Sequence, residues 1–236
     1  WHQPRAGWLK PGQLVRHLLD HPAIETARGW SIQQLQSKPQ GWEMIDGQGR
    51  RITGARTVIV AMGPASTTLL GSCGISLPLQ PVRGQVSFGS VPEPRPDNWP
   101  LRPRNGDGSL LPSVPFQGQD HWLVGSSFDR STDRAQITSE DQTLNAQRWQ
   151  RLSPDTAHLL PQSSDWQAWA GVRATVRDRL PRVGPTPLDG LWVFAGLGAR
   201  GLTLSTLCGE QLAARITGAP HPLPRMLSRH VDQQRP

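Results

Sequence analysis

Residues 191–201 constrain this chain most: the run LWVFA is followed directly by GLGARG. Five consecutive apolar residues read as a strand covered on both faces. Gly196, Gly198 and Gly201 then take the spacing of a dinucleotide-binding turn, and Leu202 to Ile216 continues as a helix that Gly218 closes. A strand, a glycine turn and a helix in that order form one unit of an α/β sheet. The small residues let the backbone approach a ligand, and the helix start offers free N–H groups and positive potential. The residues alone leave two readings open: the turn addresses an electron-rich group, or it only packs helix on strand. A pyrophosphate held in the usual way is disfavoured, because no second strand follows and no acidic residue stands where a ribose would be held.

A second apolar run, Thr57 to Ala61 (TVIVA), also reads as a strand buried on both faces, and it leads into the short turn Ala61-Met62-Gly63. Between the two runs the style changes. From Leu77 to about Asp129 the chain is rich in Pro and Gly, with alternating segments at Leu79–Phe88, Leu110–Phe116 and Trp122–Ser126, the pattern of antiparallel sheet. Ser139 to Leu152, acidic first and basic last, is expected to be a helix capped by Ser139. Ahead of the first run, Gln13–Leu19 is expected to be a short helix starting near Pro11. Trp30–Leu35 and Trp42–Ile45 are strand-like, with turns at Pro39–Gly41 and Asp46–Gly49. Beyond Pro220 the chain is polar and expected to be poorly ordered.

Composition narrows the class of function. No apolar run is long enough to span a bilayer and no basic-then-apolar leader opens the chain, so no membrane partner and a cytoplasmic location are expected. The formal charge is +7, carried mostly by Arg, which suits a polyanion such as nucleic acid but also follows from genomic bias. Ten Trp with no Tyr are expected to lie mainly in the core, although Trp also serves base stacking. Cys73 and Cys208, far apart and outside any CxxC, read as buried free thiols, and the seven His form no metal-ligand pattern, so no metal is expected.

Arg173 stands between apolar neighbours in a segment ending Pro181-Arg182-Val183-Gly184, where it could grip a carboxylate bidentately. The plainer reading is an exposed Arg173 and a local Arg177–Asp178 pair.

Taken together, these segments resemble the D-amino-acid-oxidase superfamily of flavin-dependent amine oxidases. Gly7–Leu14 looks like its turn into the substrate domain, and Val82–Ser87 like its Arg-Gly-Gln-Val-Ser strand. Val124–Arg130 with Thr138–Asp141 and Asn145, and Ala195–Leu202, resemble the tRNA-modifying branch in particular. The likeness runs over nearly the whole chain. It departs from the family at Ala199, where Ser is usual, near Val176, where Thr is usual, and at Arg179, where His is usual.

The resemblance implies an α/β two-domain flavoprotein: an incomplete Rossmann-like FAD domain with an inserted, largely antiparallel substrate domain. Residues 1–76 would belong to the FAD domain, with a substrate-domain edge at 1–10. Residues 77–184 would be mainly substrate domain, 185–218 the return to the FAD domain, and 219–236 a tail. It implies non-covalent FAD, since no Cys lies near Arg173, held through Ala61, Gly63, Gly196, Leu197, Gly198, Ala199, Arg200, Gly201, Leu202 and Thr203. Arg173 would be the catalytic, substrate-binding residue. The implied reaction removes the carboxymethyl group of 5-carboxymethylaminomethyl-2-thiouridine at the tRNA wobble position as glyoxylate, with dioxygen as electron acceptor. The family's N-terminal strand–GxGxxG–helix and the methyltransferase domain of full-length relatives have no counterpart in these residues, so the chain reads as starting midway through the FAD module. A glycine- or sarcosine-type oxidase and a non-catalytic basic RNA-binding remnant are the alternatives.

Overall fold

The computed structural model describes residues 7–232. In chain order its elements are α1 (Pro11–Leu19), β1 (Ile32–Lys38), β2 (Gly41–Asp46), β3 (Arg51–Ala55), β4 (Val58–Val60) and α2 (Ser66–Gly71). Next come β5 (Gln80–Ser90), β6 (Arg104–Gly106), β7 (Gly108–Phe116), β8 (Gln119–Gly125) and α3 (Ser139–Leu152). They are followed by β9 (Gln167–Thr175), β10 (Arg182–Pro185), β11 (Leu191–Ala195), α4 (Gly201–Thr217) and α5 (Arg225–Val231). The chain divides into two compact units, one of Trp1–Lys10 and Val82–Val172, the other of Pro11–Pro81 and Arg173–Pro236. These boundaries fall inside β5 and β9, whereas the change of sequence style suggested 76/77 and 184/185. The difference arises because β10 pairs with β11, which draws residues 182–185 into the second unit. Of the expected edge at residues 1–10, residues 1–6 lie outside the described residues.

In the second unit, β11 runs parallel to β4 in the register Leu191↔Val58, Trp192↔Ile59 and Val193↔Val60, and antiparallel to β10. The two apolar runs of the sequence thus share one sheet, ordered β10-β11-β4. On one face Leu191, Val193 and Ala195 join Val58, Val60, Leu69 and Leu70 in a core that also takes Leu35 and Trp42 from β1 and β2. On the other, Trp192 and Phe194 pack with Val183, Cys208 and Leu212. β4 corrects one expectation. It is an edge strand with Ile59 45% exposed, so only one of its faces is covered; a β-branched run signals strand but does not report how many layers pack on it. The Asp46 turn forms as read, with Asp46 Oδ1 accepting from the N–H groups of Gln48 (2.9 Å) and Arg50 (2.8 Å). It leads into β3, whose half-exposed, Gly-containing sequence gave no strand signal.

The tail expectation is corrected as well. α5 docks on α4: Val231 enters the core with Cys208, Gln211 donates to the Ser228 hydroxyl at 2.8 Å, and Arg215 pairs with Asp232 at 3.0 Å. A polar one-sided helix of seven residues has too little periodicity to be read from sequence.

In the first unit the sheet order is β6-β7-β8-β5-β9, and the β6–β7, β7–β8 and β5–β8 pairs are antiparallel. Trp122 meets Trp149 and Trp166 edge-on at ring separations of 5.1 and 4.7 Å, and Trp99 completes the cluster beneath α3. Core placement therefore describes these Trp and Trp42, but Trp8 and Trp169 are exposed. The cap of α3 is Thr138 rather than Ser139: its hydroxyl accepts from the Asp141 N–H, while Ser139 already has helical geometry.

Candidate functional site

Ligands of open α/β sheets bind outside the carboxyl ends of parallel strands. In this chain that place is where β4 and β11 end side by side, and both glycine turns leave from it: Ala61–Gly63 after β4 and Gly196–Gly201 after β11. Ala61 is exposed and Gly63 half-buried with φ +58 and nothing within 4 Å of where a side chain would start.

The three glycines of the second turn differ in what they are for. Gly196 is buried, has φ +75, and a Cβ there would lie 2.6 Å from Val176 Cγ2. Its left-handed backbone and the close Val176 both require glycine there. Gly198, at φ +58, meets only Thr175 Cγ2 at 3.5 Å. Gly201 stands in helical conformation, φ −54, with Leu197 Cβ at an ordinary 3.6 Å, so the fold does not demand glycine there. Packing explains the first glycine, and it leaves the third unexplained.

Leu197, Gly198 and Gly201 are half-buried, and Ala199, Arg200, Leu202 and Thr203 are exposed. α4 starts at Arg200 without a side-chain cap and with no acidic residue in its first turn. Its leading N–H groups and its dipole therefore face outward as unneutralised positive potential. An electron-rich planar group carrying carbonyl oxygens fits this edge, since small residues admit it and the N–H groups can bond it.

Arg173 lies on β9, two residues before Thr175, hence on the same face of the strand. Thr175 backs Gly198 and donates through its hydroxyl to the Gln80 carbonyl at 3.0 Å. Thr175, the last residue of that strand, thus stands against the glycine turn. Burial lowers the Arg173 pKa from its ordinary value, but a guanidinium stays charged at any physiological pH. Sequence reasoning gave Thr175 and Val176 no part in positioning the turn; the alternation of Thr175 with Arg173 along the strand was the available signal.

Arg83, in the segment resembling a family strand, has a different role. It is buried, pairs with Asp129 (3.3 Å) and Asp141, and donates to the Gln136 carbonyl at 2.7 Å. Gln85 and Ser87 continue along the same face of β5 to Gln142 and Asn145 of α3. That motif holds a helix to a sheet. Cys208 is buried and its thiol pKa is raised by desolvation, while Cys73 is only half-buried, which corrects the expectation of two buried thiols. Among the described residues no helix is long and apolar enough to cross a membrane.

Comparison with known proteins identifies a family. A family model described as FAD dependent oxidoreductase matches residues 1–215. The tRNA 5-methylaminomethyl-2-thiouridine biosynthesis bifunctional protein MnmC of Polaromonas sp. (strain JS666 / ATCC BAA-500) is 38% identical over 244 residues, 99% of this chain and 38% of that protein. The protein of the same name from Verminephrobacter eiseniae (strain EF01-2) is 38% identical over 100% of this chain and 42% of its own length. The chain therefore spans about two fifths of these relatives. Among solved structures, glycine oxidase from Geobacillus kaustophilus superposes with a TM-score of 0.68 at 22% identity, over 87% of this chain and 52% of that one. Iminodiacetate oxidase from Chelativorans sp. BNC1 does so with 0.66 at 24%, over 87% and 53%. At such identities these two report a shared fold.

Proposed function

The chain belongs to the FAD dependent oxidoreductase family, and from that premise we propose that it takes part in removing the carboxymethyl group from 5-carboxymethylaminomethyl-2-thiouridine at the wobble position of tRNA. The observation that carries the proposal is the open, uncapped glycine turn at the paired ends of β4 and β11, with Thr175, two residues after Arg173, against Gly198. The relatives named for tRNA 5-methylaminomethyl-2-thiouridine biosynthesis, aligned over essentially the whole chain, support the choice of substrate.

In this reading Ala61, Gly63 and residues 196–203 hold the isoalloxazine end of FAD, with no covalent bond, since Cys208 is buried in the core beneath α4. When bound, FAD would supply the two-electron acceptor, with dioxygen as the final oxidant. The N–H groups from Gly198 to Thr203, other than that of Arg200, which the Leu197 carbonyl accepts at 3.3 Å, would stabilise negative charge on the ring edge they face, with no reorganisation because helix α4 fixes them. Arg173 binds the substrate carboxylate through its planar fork and so orients the methylene carbon. In the net change, the carboxymethyl group loses two electrons, gains water and leaves as glyoxylate, and the uridine keeps the aminomethyl group.

Anaerobic mixing of the FAD-loaded protein with an anticodon stem-loop RNA carrying the carboxymethylaminomethyl uridine tests the reading. The flavin absorbance should bleach with this RNA and not with the unmodified stem-loop. Bleaching by glycine or sarcosine but not by the RNA would move the assignment to a free amino-acid oxidase.

A further inference from the structure

The positive charge of this chain is not shared between its two units. The unit of Trp1–Lys10 and Val82–Val172 contains ten Lys and Arg against ten Asp and Glu, and the unit of Pro11–Pro81 and Arg173–Pro236 contains fifteen against eight. The whole formal charge of +7 thus belongs to the second unit.

Ion pairs occur in both units. In the first unit Arg83, Arg95 and Arg151 are each bonded to a carboxylate. In the second unit Lys38, Arg50, Arg51 and Arg215 are likewise paired, but among the described residues no ion pair involves Arg177, Arg179 or Arg200. All three are exposed, and Arg200 reaches the turn that carries the other two. The Arg200 guanidinium donates to the Arg179 carbonyl at 2.7 Å, fastening the end of the glycine turn, where α4 begins, to the turn after β9.

That second turn is rigid. The Arg179 N–H donates to the Val176 carbonyl at 2.9 Å, and the Leu180 N–H to Asp178 Oδ1 at 3.0 Å. Arg179 itself has φ +61, a left-handed conformation that a non-glycine residue rarely adopts. Its local acidic residue, Asp178, is thus occupied within the turn while the two flanking guanidinium groups point to solvent.

We propose that this turn, Arg177 to Arg179 backed by Arg200, is the phosphate-backbone contact for the RNA substrate, and that the unit holding the glycine turn, rather than the other, supplies the nucleic-acid surface. The inference rests on the RNA substrate of the function proposed above. Guanidinium groups presented by a fixed turn release phosphate counterions without first losing much chain entropy. Their position next to the glycine turn would bring the backbone of the RNA to the place where its modified base reacts.

The test is the salt dependence of binding by the full chain, measured by fluorescence anisotropy with a labelled anticodon stem-loop RNA. Each phosphate contact contributes about 0.7–0.9 to the slope of log K against log salt. Arg177→Gln/Arg179→Gln should lower the slope by roughly 1.5, with an unchanged urea unfolding midpoint. Arg177→Lys/Arg179→Lys should restore it, because counterion release follows charge. Arg130→Gln/Arg134→Gln, exposed in the other unit, should leave the slope as it was. An unaltered slope in the first variant, or a fall in the Arg130/Arg134 variant instead, overturns the proposal while the RNA substrate stands. So does weakened FAD binding with intact RNA binding, which would assign the turn to the cofactor's phosphates. No binding of the RNA by the wild-type chain at low salt would remove both the proposal and the RNA substrate.

Discussion

Gly196 and Gly201 occupy one motif, and alanine should act on them in opposite ways. At Gly196 the backbone has φ +75 and the added Cβ would sit 2.6 Å from Val176 Cγ2 and 3.4 Å from Leu79 Cδ2. The left-handed conformation costs alanine about 1–2 kcal/mol. Forcing a methyl group against the buried Val176 adds about 1–3 kcal/mol. Gly196→Ala should therefore lose about 2–5 kcal/mol, a large share of the ~5–15 kcal/mol typical of a folded domain. At Gly201 the conformation is already helical and the nearest atom outside the adjoining chain is Leu197 Cβ at 3.6 Å. Alanine is there neutral or favourable by up to about 1 kcal/mol. Urea unfolding followed by Trp fluorescence measures both, and FAD titration of the same proteins measures the site. Gly201→Ala should keep its unfolding midpoint and lose flavin affinity, because the methyl group stands where the ring edge approaches the N–H groups. A Gly196→Ala protein as stable as wild type would refute the packing argument. Full flavin affinity in Gly201→Ala would refute the assignment of the third glycine to ligand approach.

Other consequences can be measured in the same preparations. Arg173→Ala should slow removal of the carboxymethyl group by roughly a hundredfold, since losing one partner of a desolvated charge pair costs about 2–5 kcal/mol and each tenfold corresponds to about 1.4 kcal/mol. Arg173→Lys should recover part of that, and stability and flavin content should stay near wild type; loss of all three together would make Arg173 structural. Only Cys73 should react promptly with a thiol reagent in the native protein, as burial raises the Cys208 pKa; prompt reaction of both thiols would contradict the packing of α4. Desolvation raises the Asp46 pKa, but the bonds from Arg50 and Gln48 outweigh it and hold the carboxyl below its ordinary value. A depressed pKa stabilises the fold above the unfolded value, near 3.9, and that stabilisation disappears as pH falls through the folded value. Asp46→Asn should thus be less stable than wild type at pH 7, and the gap should close on acidification below about pH 4. A gap independent of pH would show that the Arg50 contact acts through shape alone.

How much of this was legible from sequence depended on local signal. LWVFA and TVIVA were readable as strands because such apolar, β-branched runs favour a sheet, while their parallel pairing is a fact of the fold. α3 and α4 were readable from charge gradient and glycine closure. What escaped depends on contacts distant in sequence. The open face at Ile59 is a property of sheet order, and α5 is held by Gln211 and Arg215 of a different helix. Within the candidate site, the glycine spacing was visible but the division of labour was not, because Val176 behind Gly196 and open space at Gly201 are facts of packing. Arg83 shows the converse: its motif was visible, but its burial between Asp129 and Asp141 needs β5 and α3 in place.

The central claim is that the carboxymethyl group of the wobble uridine is removed oxidatively at the turn after β11. Its most direct test is aerobic incubation of the FAD-loaded protein with an anticodon stem-loop RNA carrying 5-carboxymethylaminomethyl-2-thiouridine, followed by nucleoside mass spectrometry and glyoxylate determination. The account predicts the 5-aminomethyl nucleoside and glyoxylate in equal amounts, both abolished when FAD is left out and both strongly reduced in Arg173→Ala. An unchanged modified nucleoside, in a protein that holds FAD and oxidises glycine, would contradict it.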